Sequence, residues 1–169
     1  MKLDLTNVSG VIFDLDGTLV ESVLDFSQMR REIGCPAGED ILTFIDNLPD
    51  ETSRASAHQV ILDHEMADAE NAKWLPAGKT MVDAVIKADL PVAIVTRNCK
   101  QATALKISNN QIPISTVLTR ECAPAKPDPT ALLMIAGQWQ IAPAHILYVG
   151  DYIYDQQAAE NAGMQWLLV

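Results

Sequence analysis

The chain has 169 residues, 49% of them hydrophobic, and 22 acidic against 12 basic side chains give it a net charge of −10. That length and apolar content suit one compact domain with room for a small insert. So acidic a surface repels nucleic acid and anionic membrane, which argues against both as partners. Cys35, Cys99 and Cys122 form neither an even set nor a CxxC pair, so a reduced, cytoplasmic setting is expected. The N-terminal MKLDLTNVSG places one lysine before an acid, and the apolar run Val11–Phe13 is too short for a signal peptide or a membrane span. There is no internal repeat and no low-complexity segment.

In chain order, the first element is an apolar run, Val11–Leu15, that closes on Asp14 and Asp16. From Glu21 to Trp74 no strand pattern occurs. Phe26, Met29 and Ile33 make a helical stripe stopped by Gly34-Cys35-Pro36. Ile41, Phe44, Ile45 and Leu48 make a second, stopped by Pro49, and Ala55, Leu62, Met66 and Ala69 a third in a longer helix. Leu75-Pro76-Ala77-Gly78 marks the return to alternating strands and helices. Helical patterns cover Thr80–Ala88, Gln101–Ser108, Pro129–Gln138 and Gln156–Ala162, the last closed by Gly163. Between them lie the runs Pro91–Val95, Thr116–Leu118, Ile146–Val149 and Trp166–Val169. These runs are apolar throughout, as parallel strands covered on both faces are. The expected fold is therefore α/β: a Rossmann-like parallel sheet with helices on both faces. Residues 1–20 and 75–169 form the core, and residues 21–74 a small helical cap inserted after the first strand.

Ligands of such sheets bind at the carboxyl ends of the strands. There the sequence places Asp14-Leu15-Asp16-Gly17-Thr18, Thr96-Arg97-Asn98, Lys126-Pro127 and Gly150-Asp151, with Asp155 four residues on. Carboxylates gathered at one edge repel one another, and a divalent cation is the natural remedy. Hard carboxylate oxygens suit Mg²⁺. With Asp16 protonated, the three charges of Asp14, Asp151 and Asp155 balance Mg²⁺ and Lys126, leaving room for an anion such as a phosphate ester. Residues i and i+2 of an extended chain point the same way, so Asp14 and Asp16 flank one substrate. One carboxylate attacks phosphorus while the other protonates the leaving oxygen. An aspartate is ionised at neutral pH, so the nucleophile needs no separate base. Gly17 permits the turn that follows.

These four groups, in this order, resemble the motifs of the haloacid dehalogenase-like hydrolases, and the helical insert resembles the first cap type of phosphoglycolate phosphatase-like members. The resemblance implies Asp14 as nucleophile, forming an aspartyl-phosphate. It implies Asp16 as general acid and then base, with its backbone carbonyl on Mg²⁺. Thr96 and the following amide would bind phosphoryl oxygens, Lys126 would steady Asp14 and the phosphate, Asp151 would ligate Mg²⁺, and Asp155 would support the metal or Lys126. The candidate metal set is thus Asp14, Asp16, Asp151 and Asp155, and the candidate substrate contacts are Thr18, Thr96, Arg97 and Asn98. An acid at Asp16 argues against the dehalogenase and phosphonatase branches. The expected activity is Mg²⁺-dependent hydrolysis of a small phosphorylated metabolite. The alternatives are a phosphomutase of the β-phosphoglucomutase type and, from another class, a non-catalytic phospho-accepting or binding protein.

Other residues read as structural. Cys99 lacks a basic partner for a catalytic thiol. His58 and His64 are six apart, wrong for one metal face of a helix. His145 is expected at the surface, and Trp74, Trp139 and Trp166 are expected to pack. A cap arginine, Arg30 or Arg31, facing inward would read a substrate anion, although a solvated face is the plainer reading.

Overall fold

The computed structural model describes residues 3–169. Five parallel strands form one sheet: β1 (Gly10–Phe13), β2 (Val92–Val95), β3 (Thr116–Leu118), β4 (Ile146–Gly150) and β5 (Gln165–Leu168), in the order β3-β2-β1-β4-β5. Three helices follow β1: α1 (Phe26–Ile33), α2 (Ile41–Asp46) and α3 (Glu51–Asn71). The others are α4 (Pro76–Lys87), α5 (Lys100–Asn110), α6 (Thr130–Trp139) and α7 (Ile153–Ala162).

Successive strand residues face opposite sides, and in β1, β2 and β4 both sides are buried, which is why those runs lack polar alternation, whereas the edge strands β3 and β5 are partly exposed. Val11 and Phe13 of β1 and Leu147 and Val149 of β4 join Met81, Val82 and Val85 of α4 on one face. Ile12 and Tyr148 face the other way, against Leu132 and Ile135 of α6 and Ala158, Ala159 and Ala162 of α7. Gly163, left-handed at φ 74°, ends α7.

The helices after β1 bury a cluster of their own, with Met29, Cys35, Ile41, Ile45, Ala57 and Ile61 at its centre. Asp25, Asp40 and Asp50 cap α1, α2 and α3, each side chain accepting a backbone N–H of the first turn. The far half of α3 leaves this cluster and packs on α5, where Ala69 meets Cys99 and Ala102. Cys99 caps α5 with its sulfur and is buried. Trp166 departs from expectation: on the edge strand β5 it is 43% exposed. Among the described residues, no helix is long and apolar enough to cross a membrane.

The chain moves from β1 to one side of the sheet through β2 and β3, then returns to the other side at β4. The crevice beyond the carboxyl ends of β1 and β4 lies where that direction reverses, the favoured ligand position in open α/β sheets.

Candidate active site

β1 ends at Phe13, two residues short of the expected Leu15. The backbone then turns, with Thr18, Leu19 and Val20 N–H groups all donating to the Leu15 carbonyl. Gly17 sits in this turn at φ 78°, where an ideal Cβ would lie 2.2 Å from Asp151 Oδ2. The residue has to be glycine both for its backbone angle and to admit the Asp151 carboxylate.

Asp14 is buried. Its Oδ1 accepts from Lys126 Nζ at 2.9 Å, and its Oδ2 accepts from Thr18 Oγ1 at 3.4 Å. Lys126, also buried, reaches Asp155 Oδ1 at 2.6 Å, the Tyr148 hydroxyl at 2.5 Å and the Val95 carbonyl at 3.2 Å. The Tyr148 hydroxyl in turn donates to Asp155 Oδ1 at 2.9 Å. The other oxygen of Asp155 accepts the Asp151 and Tyr152 N–H groups, both at 3.1 Å, at the start of α7. Asp155 can fold back this way because residue 150 is glycine; a Cβ there would fall 2.3 Å from its carboxyl carbon.

Burial pushes the Asp14 carboxyl well above the usual carboxylate range; Lys126 opposes this and Asp155 adds to it. Asp151 is raised for the same first reason, with Asp155 adding its charge. Burial works against the charge on Lys126, yet Asp14 and Asp155 lift its pKa above the ordinary lysine value. The ready ionisation expected of an aspartate nucleophile is therefore not free here; it depends on cations close to Asp14.

Asp14, Asp151 and Asp155 each bring a carboxylate oxygen within 4.8 Å of the others. This oxygen-only donor set, with the space kept open by Gly17, fits a hard divalent cation such as Mg²⁺. The Asp16 carboxylate is directed elsewhere. It accepts from Asn98 Nδ2 at 2.9 Å and from Lys106 Nζ. Lys106, a fully buried residue of α5, also donates to Asp68 Oδ2 of α3 at 2.7 Å. Asp68 accepts from the Val23 N–H at 2.8 Å and the Ser22 hydroxyl at 3.2 Å, at the start of the helical insert.

Asp14, Asp16, Thr96, Arg97, Asn98, Lys126, Asp151 and Asp155 all line one cavity of 460 Å³, which α1, α2 and α3 close from above. Thr18 stands behind Asp14 and outside this lining. Thr96 is buried, with Oγ1 accepting from the Asn98 N–H at 3.1 Å. The Asn98 amide is spent on Asp16 and on the Cys99 N–H. Arg97 bonds Asp40 Oδ1 at 2.5 Å and the Lys126 carbonyl, and its guanidinium lies 4.7 Å from the centre of the Tyr154 ring. Arg30 lines the cavity and Arg31 is exposed.

Sequence reasoning passed over Lys106, Asp68 and Tyr148. The signals were present. Cys99, Ala102, Thr103 and Lys106 share the buried stripe of α5, so a lysine stands at a core position. Tyr148 puts a hydroxyl inside an apolar strand, where it requires a partner.

The model of the haloacid dehalogenase-like hydrolases matches residues 11–169. A haloacid dehalogenase-like hydrolase domain-containing protein of Arabidopsis thaliana is 30% identical over 165 residues, covering 90% of this chain and 66% of its own length. The chain thus spans about two thirds of that relative. A phosphoglycolate phosphatase of Thiobacillus denitrificans is 29% identical over 189 residues, covering 92% of this chain and 80% of its own. Among solved structures, a hydrolase from Pseudomonas syringae superposes with a TM-score of 0.77 at 19% identity, covering 95% of this chain and 83% of its own. With the family model spanning nearly the whole chain and the motif residues gathered at one sheet edge, this protein belongs to the haloacid dehalogenase-like hydrolases, in their phosphoglycolate phosphatase-like branch.

Proposed function

We propose that this protein is a Mg²⁺-dependent phosphatase that hydrolyses a small phosphorylated metabolite through an aspartyl-phosphate on Asp14. The observation that carries this reading is the buried Lys126–Asp14 contact of 2.9 Å, at the end of β1 and beside Asp151. An ammonium against a carboxylate at a sheet edge both aims the nucleophile and offers a cation to an incoming phosphate.

Asp14 attacks phosphorus as the bond to the leaving oxygen breaks, and Asp16 gives that oxygen a proton. Asp16 then takes a proton from water as the water oxygen attacks the acyl phosphate, releasing phosphate and restoring Asp14. Thr96 and the backbone beside it hold phosphoryl oxygens, and Lys126 offsets charge on the same group. Asn98 orients Asp16. Asp14, Asp151 and the Asp16 carbonyl would hold Mg²⁺, with Asp155 completing the acidic set, and the ion would supply positive charge against the phosphoryl oxygens. Residues 21–74 act as a cap whose opening admits substrate and whose closure excludes water. The three free cysteines fit a reducing, cytoplasmic setting.

The test is phosphate release from a panel of phosphorylated metabolites, with Mg²⁺ or with chelator, for wild type and Asp14→Asn. The reading requires release that depends on Mg²⁺ and is lost in the variant. Full activity of Asp14→Asn would sink the mechanism. Release without a bisphosphate activator separates hydrolysis from return of the phosphoryl group to a sugar.

A further inference from the structure

The cavity has two chemically different ends. Its floor is the acidic and basic cluster at the strand ends. Its roof is mixed: Phe26, exposed at the helix start, Leu24 and Leu42 give apolar surface beside Arg30, Asp40 and Glu65, backed by the buried Met29, Ile41 and Ile61 of the insert's own cluster. Tyr152, 58% exposed, stands in its wall beside Tyr154, with the ring centres 5.1 Å apart and nearly perpendicular. At 460 Å³ the space falls within the range of roughly 300–1,000 Å³ that encloses a substantial organic ligand. A two-carbon acid phosphate would fill only the polar floor.

Two of the three arginines in the walls are already paired with carboxylates. Arg97 is bound by Asp40 and the Lys126 carbonyl. Arg120 makes a two-point contact with Glu65, at 2.5 and 2.7 Å. Arg30 donates to the Glu39 carbonyl at 3.2 Å, and its Nε is sealed from solvent without a partner. Of the three, Arg30 alone has no carboxylate partner, and Leu24, Phe26, Leu42, Tyr152 and Tyr154 offer apolar and aromatic surface around it.

From this division, and resting on the phosphatase reading, we propose that the substrate is a phosphate monoester of a neutral alcohol carrying an apolar ring. The phosphate enters the floor and the ring lies against Phe26, Leu24 and Leu42, with Tyr152 at its edge. A carboxylate-bearing leaving group meets the Asp40 and Glu65 carboxylates that already pair Arg97 and Arg120, so it is disfavoured. This separates the chain's selectivity from the substrate that the name of its Thiobacillus relative states.

Two sets of probes test the proposal on the whole 169-residue chain with Mg²⁺. The first is turnover of benzyl phosphate, ethyl phosphate and phosphoglycolate, all esters of alcohols. We expect kcat/KM for benzyl phosphate to exceed both others by about tenfold or more, the scale on which an apolar pocket discriminates. Phe26→Ala, at an exposed helix start, is expected to narrow the benzyl-to-ethyl ratio toward one. The second is calorimetric binding of the non-hydrolysable 2-phenylethylphosphonate, propylphosphonate and 3-phosphonopropionate, which needs no catalysis. Tighter binding of the phenyl compound supports the pocket assignment even where turnover is absent, a result that would overturn the phosphatase reading alone. Phosphoglycolate and 3-phosphonopropionate ranking first overturns the assignment, as does equal ranking of the ring and the short alkyl chain.

Discussion

Lys106 and Asp68 meet across the junction of the α/β core and the helical insert, Nζ to Oδ2 at 2.7 Å, both buried. The same ammonium reaches Asp16, so one lysine joins the proposed acid-base residue to α3. Burial works against its charge, but Asp16 and Asp68 raise its pKa above the ordinary value. Lys106→Met leaves Asp68 buried without its cation, a change that costs about 3–5 kcal/mol in comparable buried pairs. Lys106→Met with Asp68→Leu should recover most of that stability in denaturant melts. It should not recover kcat, because Asp16 still lacks its second partner. Full kcat in the double variant would remove Lys106 from the catalytic account.

Gly17 provides a narrower test of the acidic site. Gly17→Ala places a methyl against the Asp151 carboxylate at a backbone angle that alanine resists. We expect the Mg²⁺ concentration for half-maximal phosphate release to rise at least about tenfold. The fold should survive, with a stability loss of about 1 kcal/mol from the left-handed backbone. An unchanged Mg²⁺ requirement would show that Asp151 does not act through this position.

Metal binding should also be visible without turnover. A cation that binds the folded chain alone stabilises it by about 2.7 kcal/mol at a hundredfold excess over its Kd. Mg²⁺ should therefore raise the melting temperature of wild type and leave Asp151→Asn nearly unmoved. An equal rise in both proteins would place the ion elsewhere.

Tyr148→Phe removes one oxygen and keeps the ring. It takes away the hydroxyl between Lys126 and Asp155 while their direct contact of 2.6 Å remains. The expected loss is about 1–3 kcal/mol in stability, the cost of an unmade buried hydrogen bond. The kcat should fall modestly, through looser placement of Lys126. A loss as large as that of Asp14→Asn would assign the hydroxyl a direct chemical role.

Arg120 and Glu65 form a second, partly buried link between core and insert, and a double-mutant cycle measures it. Arg120→Leu and Glu65→Leu should each destabilise strongly, and the pair together by less than their sum, with a coupling of about 2 kcal/mol. Strict additivity would mean that the contact contributes nothing to holding α3 on the core.

Much of this was legible in the sequence, for a physical reason. Uniformly apolar runs have one stable use in an α/β chain, so all five strands fall within two residues of their expected limits. The strand-end polar residues follow from the same pattern, because the sheet delivers every carboxyl end to one edge. Lys106 was missed because lysine is usually exposed, and its partners lie 90 and 38 residues away. Arg97 and Asn98 read as substrate contacts because they follow Thr96. That they spend their donors on Asp40 and Asp16 is fixed by tertiary packing that no local pattern encodes.

The 21-residue α3 belongs to both halves of the molecule. Glu65 and Asp68 clamp its far half to the core, whereas Ala57 and Ile61 sit in the insert's own cluster. It is therefore a lever with its fulcrum inside the protein. From Glu65 back to Glu51 the arm is about 21 Å long at 1.5 Å per residue, so a pivot of roughly 10° swings its tip by about 4 Å. The Arg97–Asp40 pair latches the insert to the core from α2. In the proposed cap opening, release of this pair lifts the roof over the cavity while the clamp beside Asp16 stays closed, so that admission of substrate need not disturb the proposed acid-base residue.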